Sequence, residues 1–148
     1  MQGFVPEAER VDIVSRALAL GVTKAGFFAC DNEKTKNMRM MNLGRRMDSG
    51  AHDLAIPAEW QALARRAADA ARAVEPSLPA MEPDVCVANL YSETSRLSVH
   101  QDVCTRRDPG APVVSISLGL ACDFNFQRGW GKKQKEHCVS RSHWRERL

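Results

Sequence analysis

Apolar positions recur three to four residues apart in the first half of this chain and two apart in the second. Val11, Val14 and Leu18 fall at helical spacing and predict one apolar face on a helix over Pro6–Leu20. Pro6 suits a first turn, Glu7 and Glu9 complement the positive end of the helix dipole, and Gly21 suits the stop. Residues 22–28, VTKAGFF, read as the start of a strand, and residues 32–48 are basic, methionine-rich and without a clear period. A second helix is predicted from Pro57 to Val74, with Trp60, Leu63, Ala67 and Val74 on one face and high alanine content favouring it. Both helices are expected to pack on a sheet. The proline-dotted EPSLPAMEP (75–83) then acts as a linker.

From Asp84 onward the period is two. In DVCVANLY (84–91), Val85, Val87, Asn89 and Tyr91 share a face; in RLSVHQD (96–102), Ser98, His100 and Asp102 do. In APVVSISLG (111–119), Val113, Ser115 and Ser117 oppose Val114, Ile116 and Leu118, and ACDFNF (121–126) reads as a fourth strand. The inner face of such a sheet would be unusually polar. Buried polar groups need partners, and a metal with a polar ligand would supply them. After Phe126 the alternation stops, and no internal repeat is found.

Charge sharpens this division. Of 21 basic and 18 acidic residues, seven and two fall in residues 127–148, leaving fourteen and sixteen for residues 1–126. A near-neutral body therefore carries a basic tail, read first as a solvated end, although such a tail can also hold phosphates. One domain of this length can bury a core. Residues 1–126 are assigned to it and residues 127–148 are left outside the fold. The five cysteines (Cys30, Cys86, Cys104, Cys122, Cys138) form no CxxC pair, which predicts free thiols. No apolar run could span a bilayer, and the N-terminus lacks the layout of a secretory signal. A monomer in the cytoplasm or nucleus, without a membrane partner, is expected.

His100 and Asp102 have the spacing that sets two metal ligands on one strand face, and a two-histidine, one-carboxylate iron site needs a second histidine as well. By itself an H-x-D is most often a satisfied surface pair. Asn89 and Tyr91 could equally be strand residues satisfied by a loop, Ser115 an ordinary sheet residue, and Met40, Met41 and Trp60 core. A zinc site from Cys104, His137 and Cys138 has irregular spacing.

The longer stretch PDVCVANLYSETSRLSVHQD, followed by APVVSISLGLACDFNF, resembles the AlkB family of iron(II)- and 2-oxoglutarate-dependent dioxygenases, with plant and algal homologues most similar. MRMMNLG and IPAEWQALARRAADAA also resemble that family's methionine-bearing nucleotide-contacting strand and its supporting helix. The resemblance implies an α+β fold, with N-terminal helices packed on an incomplete double-stranded β-helix of jelly-roll kind. It implies iron ligands at His100 and Asp102, 2-oxoglutarate contacts from Asn89 and Tyr91, Leu97 packing nearby, and Ser115 lining the pocket. The implied reaction is oxidative demethylation of alkylated bases in DNA or RNA with O₂, on a base taken from its stack.

Three departures accompany the resemblance. VCT (103–105) stands where the family has a lysine and acidic residues, and no aromatic lid is evident in GRRMDSGAHDL (44–54). The family's second iron histidine and its 2-oxoglutarate arginine have no counterpart, since His137 and His143 lie outside a strand context. The expectation is therefore a chain cut short of the final strands, as a truncated isoform or gene-model error, with impaired activity. The competing expectation is a catalytically inactive module that binds nucleic acid.

Overall fold

The computed structural model describes residues 3–32, 34–45, 54–98, 100 and 112–120. Their elements run α1 (Glu7–Gly21), β1 (Phe28–Cys30), β2 (Thr35–Gly44), α2 (Ala58–Val74) and β3 (Val85–Leu97). The three strands form one antiparallel sheet in the order β1-β2-β3.

Residues directly opposite on neighbouring strands share a face, so the register sorts the side chains. Met41 and Leu43 lie opposite Ala88 and Cys86; Met40 and Asn42 lie opposite Asn89 and Val87. The first set faces the core. Met41 and Leu43 are buried, as are Leu63 and Ala68 of α2, and each of the methionine and leucine side chains contributes about 1.5–3 kcal/mol by leaving water. The chain between β2 and α2 closes against the strand end: Gly44 N donates to Leu54 O at 2.7 Å. Farther along, Gln61 Nε2 donates to Pro83 O at 3.3 Å and Arg65 pairs with Glu82 at 3.0 Å. Gly44 sits at φ 78, and a Cβ there would collide with the Asp84 carbonyl and the Ile56 side chain.

The opposite face is mostly exposed, with Phe28, Val87 and Tyr91 each at least 40% exposed, although Met38, opposite Tyr91, is buried. Asn89 is exposed beside them. Asn89 and Tyr91, expected on a polar inner face, are thus both exposed.

α1 departs from expectation in a specific way. Val11, Val14 and Leu18 are exposed, and the half-buried positions are Arg10, Ile13, Ala17 and Leu20. The docked stripe is rotated by one residue. This helix is apolar on nearly every side, so polar links choose the face: Arg66 pairs with Glu9 at 2.7 Å and stacks over Phe4 at 5.5 Å, and Arg16 pairs with Glu59 at 3.1 Å. In α2, Leu63 is buried, Trp60 and Ala67 are half-buried, and Val74 lies exposed in the last turn.

Three strand expectations are also corrected. β1 begins at Phe28, since Thr23–Gly26 form a turn with Gly26 N on Thr23 O. The stretches 84–91 and 96–102 are not separate strands: β3 runs unbroken from Val85 to Leu97. Residues 112–118 belong to no strand, because a strand needs a ladder partner and no described strand pairs with them. ACDFNF lies outside the described residues, as do residues 127–148.

Candidate metal and co-substrate site

β3 carries most of the predicted site. Its register sets Asn89 opposite Met40 and Tyr91 opposite Met38, so these two share a face by the two-residue period, while Leu97, opposite Thr35, lies beyond a register shift and is not phased with them. Asn89 presents an amide and Tyr91 a phenol to the same side, a donor pair suited to a carboxylate-bearing small molecule.

Between Tyr91 and Leu97 the strand does something no period could show. Met38 pairs with Tyr91 and Lys36 with Arg96, so one residue of β2, Asn37, faces four of β3, Ser92–Ser95. Asn37 has φ 51, the only positive value at a non-glycine among the described residues. Its side-chain amide donates to Thr94 Oγ1 at 3.1 Å, and its carbonyl accepts from the hydroxyls of Ser92 and Ser95. Ser92 N donates to Ser95 Oγ at 2.8 Å.

β3 stops at Leu97. Ser98 N donates to Lys34 O at 2.7 Å, the last step before the chain leaves the ladder. His100 therefore lies beyond the strand and does not share a strand face with Ser98 as expected. Its Nδ1 is 2.8 Å from Ser98 O. A carbonyl oxygen only accepts, so Nδ1 is the donor in this contact, and in a neutral ring Nε2 is then the nitrogen that can bind a metal. That is the tautomer of a metal-ligating histidine held by a backbone carbonyl, and in this respect His100 fits an iron ligand. Asp102 lies outside the described residues. Ser115 is exposed within the unpaired segment 112–118. Among the described residues no group of three His, Cys, Asp or Glu is placed to hold a metal.

On the other face of the same strand, Cys86 lies half-buried opposite Leu43, and burial pushes its thiol up to about 11.

A helix-backed antiparallel sheet leading into an H-x-D segment is the frame of a jelly-roll oxygenase, and the comparisons agree with it. The profile of the 2OG-Fe(II) oxygenase superfamily matches residues 1–143, and the chain belongs to that family. It is 32% identical to the DNA N(6)-methyladenine demethylase ALKBH1D of Arabidopsis thaliana, over 85% of this chain and 34% of that protein. It is 42% identical to the alpha-ketoglutarate-dependent dioxygenase AlkB of Escherichia coli (strain K12), over 49% of this chain and 31% of that one. The solved structure of OsALKBH1 matches with a TM-score of 0.73 at 28% identity, covering 84% of this chain and 67% of that chain. The chain spans about a third of the length of the curated relatives it matches. Its family is one of iron(II)- and 2-oxoglutarate-dependent dioxygenases, so these are the cofactors membership brings.

Proposed function

We propose that this chain carries the front of an AlkB-like site for oxidative demethylation of alkylated nucleic-acid bases, DNA or RNA. The observation that carries the reading is the exposed pair Asn89 and Tyr91 on one face of β3, followed by His100, whose Nδ1 is held by Ser98 O. His100 and Asp102 would hold the metal. The Asn89 amide and Tyr91 hydroxyl would bind the co-substrate, Leu97 would pack beside it, and Ser115 would line the pocket. Iron(II) with 2-oxoglutarate and O₂ supplies the oxidising chemistry, which converts an N-methyl group to a hydroxymethyl that leaves as formaldehyde. The chain's own task is to hold the co-substrate in one pose and keep His100 in its metal-binding tautomer. The target base would be taken from a single strand or flipped from a duplex, and similarity to the Arabidopsis DNA N(6)-methyladenine demethylase makes an N-methylated adenine a natural first substrate. We carry forward a monomer working in the cytoplasm or nucleus, with residues 1–126 as the dioxygenase domain and the basic tail apart from it.

The test is 2-oxoglutarate-dependent succinate formation by the purified chain with iron(II), ascorbate and O₂, beside His100→Ala, with circular dichroism confirming that both are folded. Succinate above the His100→Ala control supports the reading. Equal, background succinate from two folded proteins overturns it for this chain.

A further inference from the structure

Asn37 touches none of the residues assigned to the site, yet the register makes it the point on which their spacing turns. Tyr91 and Arg96 are five apart in sequence but pair with Met38 and Lys36, which are two apart. At about 3.3 Å per residue, the bulge removes three steps, roughly 10 Å, from the path along the sheet between Tyr91 and the segment bearing His100. One small co-substrate has to reach both ends of that path, so the compression matters to binding.

The bulge is not held by burial. Ser92, Glu93, Thr94 and Asn37 are exposed and Ser95 is half-buried. It is held by Asn37, through the amide on Thr94 and the carbonyl under Ser92 and Ser95, together with the bonds between Ser92 and Ser95 themselves. Hydrogen bonds this exposed add little to stability. A non-glycine at positive φ costs about 1 kcal/mol or more, and asparagine is among the few side chains that tolerate it. A strained backbone held by weak exposed bonds is poor value as a structural device and sensible as a geometric one.

We propose that Asn37 is a positioning residue of the iron and 2-oxoglutarate site: it latches Ser92–Ser95 into a bulge and so sets how far Asn89 and Tyr91 stand from His100. The inference rests on the functional reading above. Asn37→Gly keeps the backbone conformation and removes the amide, Thr94→Val removes its partner, and Asn37→Asp restores a link by accepting from the Thr94 hydroxyl. The primary readout is 2-oxoglutarate affinity of the manganese(II)-loaded chain by calorimetry, with KM and kcat for succinate formation and amide hydrogen exchange over residues 91–97 beside it.

Asn37→Gly and Thr94→Val should each weaken 2-oxoglutarate binding about 10- to 100-fold, as losses of supporting partners around metal sites do. The double variant should be no worse than either single. KM should rise more than kcat falls, Asn37→Asp should recover most of the affinity, and the melting temperature should move by less than about 3 °C. Faster exchange at 92–95 with unchanged affinity overturns this proposal and leaves the functional reading intact. So does a loss of affinity that Asn37→Asp fails to recover. A wild-type chain that binds no 2-oxoglutarate overturns both.

Discussion

Met41 is enclosed on every side while its neighbour Met40 is half-exposed, and this one-residue contrast follows from the pleat of β2. Met41→Ala should cost about 2–5 kcal/mol and Met40→Ala much less, read from urea denaturation of both. Both were legible as methionines of a core; which one is inside was not, because residues 32–48 have no period from which to phase a strand. Gly44 was legible only as part of a family-like strand. Its φ of 78 and the nearby Asp84 carbonyl predict that Gly44→Ala destabilises by more than about 1 kcal/mol, visible as a lower midpoint at unchanged slope. Cys86 gives a pH signature. Its thiol titrates at about 11 when folded against 9.0 for the ordinary group, so burial favours the neutral form. Its contribution is whole below pH 9 and is lost as pH rises to about 11, by up to about 2–3 kcal/mol. The wild type should lose more stability than Cys86→Ala across that window in parallel urea titrations.

At the scale of elements, α2 was readable from its sequence and α1 only halfway. α2 has one apolar stripe, and Leu63 in the middle of it is buried as predicted. α1 has several candidate stripes, and the choice among them is made by Glu9, Arg16 and their partners on α2, which no single-helix pattern contains. The consequence is measurable. Exposed pairs of this kind contribute about 1 kcal/mol or less and are screened by salt. Arg66→Ala, which removes both the Glu9 pair and the Phe4 contact, should speed amide exchange in α1 while leaving β2 and α2 protected. The wild type in 1 M salt should behave the same way. β3 shows the converse limit. Its alternation identified Asn89 and Tyr91 as neighbours on a face, but the split into two strands was wrong, because pairing with β2 resumes after the bulge and pairing is not written in one strand alone.

Among the described residues the sheet has one covered side, with Met41 and Leu43, and one mostly exposed side, and the two should respond differently to change. Val87→Thr on the open side should alter stability by less than about 0.5 kcal/mol, against several for Met41→Ala in the same assay. The H-x-D and the residues around it made the family legible, and the match of residues 1–143 to the 2OG-Fe(II) oxygenase superfamily agrees. How those residues come together was not legible, since it depends on a register shift and on the chain beyond Leu97. No helix among the described residues is long and apolar enough to cross a membrane. The two-sidedness of β3 also bears on durability. A protein that consumes O₂ at a metal exposes itself to its own oxidants, and cysteine is vulnerable in proportion to its thiolate character and its exposure. Cys86 belongs to the same strand as Asn89 and Tyr91 but points the other way, half-buried, with its thiol pushed up to about 11. Under the proposed function, the thickness of one pleated strand would stand between the oxidising chemistry and an oxidisable sulfur, and Cys86 should remain a reduced thiol after repeated turnover has spent the co-substrate.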